Sequence, residues 1–307
     1  VTTVRSHDKG KKILDAHPDV AKDVLSFVIV EDIAQPGAFD KAVISEPPFE
    51  AVIHTASPFF IGHTDPVKQL LDPAIKGTVG ILEAIKASAP SVKRVVITSS
   101  FAAVVNPDAH PKVYDGSSWN PVTEEQAVLP AYTYRASKTF AERAAWDFVR
   151  DQKPNFNVAV VNPPLVLGPV IHYLNSLDAI NTSNQRVRDL VLGKYRNELP
   201  PSGVYIWIDV RDLAEAHVRA MEVEEAGGHR FLTTAGYFSN KQIADAIRET
   251  YPDLEDKLPS KEVKDDFPAN IYGVDNSKSI NVLGITYRSL KESVKDTVAS
   301  IKEVGGI

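Results

Sequence analysis

Cysteine is absent from this 307-residue sequence. That excludes disulfides, thiolate nucleophiles and cysteine metal sites, and it fits a reducing, cytoplasmic setting. No apolar run is long enough to span a bilayer. Positive charge is in deficit: 34 Lys and Arg stand against 40 Asp and Glu, a net charge of −6. This balance argues against a nucleic-acid or anionic-membrane partner. The opening segment, VTTVRSHDKGKK, has neither an initiator methionine nor the apolar centre of a signal peptide. It starts directly in a β-branched run and reads as a chain entered partway through its fold. The eight histidines include no His-x-x-x-His pair, and no acidic cluster stands at metal-ligand spacing. No metal is therefore expected, and His54 reads as a packed strand residue. Asn181-Thr182-Ser183 matches a glycosylation acceptor by accident, since nothing indicates secretion.

What is present is an ordinary globular composition, 43% hydrophobic and 24% charged, in a chain long enough for one large unit or two interleaved ones. Short β-branched runs alternate with helical patterns. VLSFVIV (24–30), FEAVIHTAS (49–57), VKRVVITSS (92–100) and FNVAVVNPPLVLG (156–168) are nearly continuous in apolar residues and read as buried strands. A helix is expected from Asp65-Pro66 to Pro90. Another follows Ser137, with Phe140, Ala141, Ala144, Ala145, Phe148 and Val149 on one stripe. This alternation predicts an α/β fold: a doubly wound, mostly parallel, Rossmann-like sheet. The rhythm breaks after residue 168. Residues 1–163 with 205–236 are expected to form a dinucleotide-binding domain, and 164–204 with 237–307 a smaller, substrate-binding lobe. Ligands bind such sheets at the carboxyl ends of the strands.

Tyr-x-x-x-Lys occurs three times, as Tyr134/Lys138, Tyr237/Lys241 and Tyr287/Lys291. Tyr287/Lys291 lies on the approach to a charged amphipathic helix, and Tyr237/Lys241 straddles a strand end without a second polar group; both read as surface pairs. Tyr134 differs. It opens a strongly periodic helix, so Lys138 projects from the same side, and the strand ending VVITSS brings serines to the ligand-binding edge. Carbonyl reduction delivers hydride to carbon and a proton to oxygen. A phenol can give that proton, but its ordinary pKa near ~10 makes exchange sluggish. A lysine one turn away is expected to lower that value, and a serine hydroxyl to hold the substrate oxygen. Ser99 and Ser100 point opposite ways on an extended strand, and spacing does not choose between them.

VIHTASPF, RVVITSSFAAV, YRASKTFAERAAW, VNPPLVLGP and WIDVRDLAEAH, in this order, resemble the extended short-chain dehydrogenase/reductases. More narrowly they resemble the fungal NADPH-dependent carbonyl reductases of the methylglyoxal- and isovaleraldehyde-reducing kind, relatives of plant dihydroflavonol reductases. The resemblance runs along the whole chain. It implies Ser100, Tyr134 and Lys138 as catalytic residues, with Tyr134 and Lys138 also touching the cofactor. It implies Ala56, Ser57, Pro163 and Val166 as cofactor-lining and Phe59, Phe101 and Leu165 as substrate-facing. Arg5, with Lys9 nearby and no acid at the position, suits the 2′-phosphate of NADPH; a plain surface charge is the alternative. Asp32 resembles the residue that contacts adenine; the alternative is a turn or helix-capping residue.

One feature of these families is missing. They begin with a strand running into a glycine-rich turn that holds the pyrophosphate, and no Gly-x-x-Gly-x-x-Gly occurs here. Gly77 and Gly80 lie within a helical pattern. About one βα unit is therefore expected to be absent upstream of Val1, and a polypeptide of only these residues is expected to bind cofactor poorly. The leading expectation is an NADPH-dependent reductase of aldehydes and ketones, a monomer or homodimer. An NAD-dependent sugar-nucleotide epimerase/dehydratase or hydroxysteroid-type dehydrogenase is the rival enzyme, and a truncated, non-catalytic binding protein the rival of another class.

Overall fold

The computed structural model describes residues 1–20, 24–58, 64–174 and 176–305. Its contacts divide the chain into two compact units. The first comprises Val1–Asn162, His217–Leu232 and Asp275–Leu283; the second comprises Pro163–Ala216, Thr233–Val274 and Gly284–Ile307. Residues 205–216 and 233–236 thus group with the second unit, whereas the sequence-based partition assigned them to the first.

In the first unit, β1 (Thr2–Val4) leads into α1 (His7–Ala16), and β1 pairs in parallel with β2 (Phe27–Ile29). Ser6 caps α1 by accepting from the Lys9 backbone N–H. A four-stranded parallel sheet follows, built from β3 (Ala51–His54), β4 (Arg94–Thr98), β5 (Asn157–Asn162) and β8 (Arg230–Leu232), in that spatial order. Among the described residues β3 pairs with β4 alone. On its other side lies a cavity of about 210 Å³, lined by Val1, Thr2 and Thr3 as well as Val52, His54 and Ala56. The sheet is thus interrupted between β1 and β3.

Every second residue of the central strands joins one core. Val95 and Ile97 of β4 and Val158 and Val160 of β5 pack with Ile81, Leu82 and Ile85 of α2 (Asp72–Ser88) and Ala145 and Phe148 of α3 (Thr133–Gln152). The helix expected from Asp65 is real but composite. Asp65 accepts from the Lys68 backbone N–H, a π-helical stretch spans Val67–Leu71, and α2 begins at Asp72 with Pro73 in its first turn. Pro73 has no N–H to offer a preceding carbonyl, which suits it to the start of a helix. Gly77 and Gly80 lie inside α2, and a Cβ on Gly77 would meet Ile33 at 2.8 Å. Gly77 serves close packing, and neither glycine lies in a phosphate turn.

Segment 156–168 reads in sequence as one strand, but the structure makes two. Pro163-Pro164 ends β5, because two consecutive residues without N–H groups cannot continue a ladder. β6 (Leu165–Leu167) then pairs with β7 (Ile206–Asp209) in the second unit, and β9 (Gly236–Tyr237) pairs antiparallel to β7. There α5 (Asn240–Thr250) and α6 (Leu290–Val304) pack Ile243, Ile247, Val294, Val298 and Ile301 around Trp207 and Phe238. α4 (Val210–Glu222) follows β7 directly.

Candidate active site

β4 ends at Thr98, and the chain stays extended through Ser99 and Ser100 before a short 3-10 turn at Phe101–Ala103. The alternation along β4 therefore continues into the two serines. Ser99 lies with Val95 and Ile97 on the α3 side, and its hydroxyl donates to Glu142 Oε2 at 2.5 Å. Ser100 turns the other way: its hydroxyl caps the turn by accepting from the Ala102 backbone N–H at 3.1 Å, and it hydrogen-bonds the Tyr134 hydroxyl. The two serines thus serve different partners, and Ser100 is the one that meets the tyrosine.

Tyr134 and Lys138 lie one turn apart in the first two turns of α3. The tyrosine ring is half-buried. Crowding around its hydroxyl pushes its pKa up, and the Ser100 hydrogen bond opposes that rise. The expected lowering by Lys138 is thus not what governs this phenol; burial outweighs it, and Tyr134 is a protonated phenol at neutral pH. Lys138 is buried, 9% exposed, and among the described residues its ammonium makes no hydrogen bond or ion pair. Its pKa falls to about 8 because burial disfavours the charge, and Glu142 works in the opposite direction. His54, at the end of β3, is also buried; desolvation and the Lys138 charge bring its pKa down to about 4. It packs edge-on against Phe39, and its Nε2 has no hydrogen-bond partner among the described residues. The sequence reading of His54 as a packed strand residue fits this setting.

The remaining expected residues fall as follows. Arg5 is exposed immediately after β1, and Lys9 is exposed in the first turn of α1. Asp32 accepts from the Ala34 backbone N–H at 2.9 Å and from Gln35 Nε2 at 2.8 Å, and these bonds hold its carboxyl below the usual range. Ala56 and Ser57 follow the carboxyl end of β3. Phe101 is buried against Tyr114, ring centroids 5.3 Å apart. Pro163, Leu165 and Val166 belong to the second unit, with Leu165 and Val166 in β6. Phe59 lies outside the described residues. The other Tyr-x-x-x-Lys pairs are occupied elsewhere: Tyr237 donates to the Tyr272 carbonyl and Lys241 pairs with Asp245, while exposed Lys291 pairs with Glu249.

Sequence reasoning missed a buried polar cluster behind the pair. Glu142, a further turn along α3, has no exposed side-chain surface and pairs with Arg230 of β8. Asn162, at the end of β5, donates to Glu142 Oε2 at 2.8 Å and to the Ser100 carbonyl at 3.3 Å. Arg230 stacks on Trp119 at 3.7 Å. The signal lay in the spacing, since Tyr134, Lys138 and Glu142 follow one another at four-residue intervals and so share a face.

Residues 3–232 match the NAD dependent epimerase/dehydratase family. The chain belongs to that family. It is 52% identical to ketoreductase azaE of Aspergillus niger over 304 residues, covering 99% of this chain and 90% of the relative. It is 34% identical over 317 residues to the NADPH-dependent methylglyoxal reductase GRE2 of Saccharomyces cerevisiae, covering 100% of this chain and 92% of the relative. The crystal structure of Gre2 from Candida albicans in complex with NADPH superposes with a TM-score of 0.91 at 35% identity, covering 99% of this chain and 91% of that one. These likenesses bear out the expected Rossmann-type, mostly parallel α/β fold and the expected family of fungal reductases. No helix among the described residues is long and apolar enough to cross a membrane, and none of their His, Asp and Glu residues form a metal-holding group.

Proposed function

We propose that this protein reduces aldehydes and ketones to alcohols with NADPH, using Tyr134 as the proton donor. The observation that carries the reading is the Ser100–Tyr134 hydrogen bond beside the buried ammonium of Lys138. Ser100 holds the carbonyl oxygen, Tyr134 gives it a proton, and Lys138 places a positive charge where the phenolate forms. A buried phenol that is protonated at neutral pH suits the reducing direction.

The residues present fit the coenzyme. Buried Lys138 lacks a hydrogen-bond acceptor among the described residues, as a group that binds ribose hydroxyls requires. Exposed Arg5 and Lys9, at the junction of β1 and α1, suit a 2′-phosphate. Ala56, Ser57, Pro163 and Val166 would line the coenzyme, and exposed Asp32 keeps acceptor capacity for the adenine amino group beyond its two local hydrogen bonds. When bound, NADPH supplies the hydride. Phe59, Phe101 and Leu165 would give the substrate an apolar setting. In this reading the protein acts in the cytoplasm as a monomer or homodimer. Two relatives support the substrate class by name, one a ketoreductase and one a methylglyoxal reductase.

Saturation with NADPH and NADH, using methylglyoxal and an aryl ketone as acceptors, tests the proposal. Consumption of NADPH with strong preference over NADH is the expected result. Retention of tightly bound NAD through purification, with no turnover of either carbonyl, would favour the epimerase/dehydratase chemistry and overturn it.

A further inference from the structure

The carboxylate of Glu142 is saturated by its neighbours. Oε1 accepts from Arg230 Nε and, at 3.4 Å, from Trp146 Nε1; Oε2 accepts from the Ser99 hydroxyl at 2.5 Å and Asn162 Nδ2 at 2.8 Å. These donors come from α3, β8, the end of β4 and the end of β5, so one buried anion ties four elements together. With every acceptor position engaged and no side-chain surface exposed, Glu142 has no capacity to bind substrate or take a proton from it. Its reach is through others. Glu142 holds Ser99, the residue before Ser100, and it holds Asn162, which also donates to the Ser100 carbonyl. One turn towards the amino end of α3 stands Lys138, whose buried charge Glu142 favours.

We propose that Glu142 is a positioning residue of the reduction: it keeps Lys138 an ammonium and sets the strand end that presents Ser100 to Tyr134. The proposal rests on the roles given above to Ser100, Tyr134 and Lys138. The charged and titratable groups around it are Arg230 from β8, Lys138 and Tyr134 from its own helix, and His54 from β3, which faces Lys138. Arg143 is turned away onto Trp119, 5.3 Å from the ring. Glu142 is therefore the anion set between Lys138 and Arg230. Neutralising it leaves two buried cations uncompensated, and Lys138, the weaker base, gives up its proton.

The test is Glu142→Gln, with two readouts in the full-length protein. One is the titration of Lys138 followed by NMR on isotope-labelled lysine, its signal assigned with Lys138→Met. The other is the pH profile of kcat and KM with NADPH and an aryl ketone. The Lys138 midpoint is expected to fall from about 8 by about one unit, with kcat at about pH 9 down about tenfold and KM little changed. Glu142→Asp, which keeps the charge, restores much of the midpoint. An unmoved Lys138 midpoint in folded Glu142→Gln overturns the proposal. A lowered midpoint with an unshifted rate profile overturns instead the role given to Lys138, so the two failures are distinguishable. If Glu142→Gln does not fold, Glu142→Gln/Arg230→Met, which buries no unpaired guanidinium, is expected to lower the Lys138 midpoint in the same direction by a smaller amount, since one cation leaves with the carboxylate; an unmoved midpoint there overturns the proposal.

Discussion

Lys138 and His54 are two buried bases, the charge of the first acting on the second, and each responds to pH with a definite sign. Lys138 carries its charge below about 8. Reduction that depends on that charge should fall as pH rises through 8, and the pH profile of kcat reads it. Stability changes the other way in that range. The unfolded chain keeps its lysine proton up to the ordinary value of 10.5, so this group's contribution to stability rises from about 8 to 10.5. Activity loss on the alkaline side is therefore not unfolding by this group. His54 acts at acid pH. Its folded value of about 4 lies below the ordinary 6.5, so the unfolded chain takes the proton first as pH falls. Stability drains away between 6.5 and 4, by roughly 3 kcal/mol. His54→Leu should flatten that acid loss, measured by urea unfolding at the two ends of the window. An unaltered pH dependence would show that other groups cause it. The tyrosine and lysine were legible because a strand ending in serines and a periodic helix gave them context. Glu142 was not read, because a glutamate within an amphipathic helix ordinarily reads as solvent-facing; its four-residue spacing from Lys138 put it on the same face, and the donors from β4, β5 and β8 show its burial.

At the scale of elements, α3 is the scaffold of the site and its carboxyl end carries an identifiable weakness. Lys153 closes the helix in the left-handed region, φ 43° and ψ 56°, where glycine is the favoured residue, and Pro154 follows. Lys153→Gly should stabilise the protein by about 1 kcal/mol, seen as a higher thermal midpoint with unchanged kinetics. A lower midpoint would mean that the lysine makes a compensating interaction. Periodicity made α3 plain in the sequence; α5 and α6 each start from a serine cap. Prolines explain where the reading failed. The run 156–168 looks uninterrupted by hydrophobicity, yet Pro163-Pro164 divides it into strands of different sheets. Pro73 likewise marks the true start of α2, behind a π-helical stretch that hydropathy does not distinguish.

For the whole molecule, the division of parallel strands into β1–β2 and β3–β4–β5–β8 predicts uneven local stability. β1 and β2 are three residues each and, among the described residues, pair only with one another, whereas β4 and β5 are flanked on both edges and buried. Amide hydrogen exchange should release β1 and β2 well before β4 and β5; equal protection would contradict this account of the sheet. Two interleaved units were foreseeable from the break in strand–helix rhythm after residue 168. Their edges were not, because residues 206–209 carry the same apolar pattern whichever sheet they join, and pairing with β6 decides it. The central claim is that the Tyr134 phenol completes carbonyl reduction. Its most direct test is a single-turnover measurement of NADPH consumption by Tyr134→Phe in the full-length protein, with coenzyme binding measured alongside. NADPH affinity is expected to be unchanged and the rate lower by about a hundredfold or more; a rate equal to that of the parent protein would rule out Tyr134 as the proton donor.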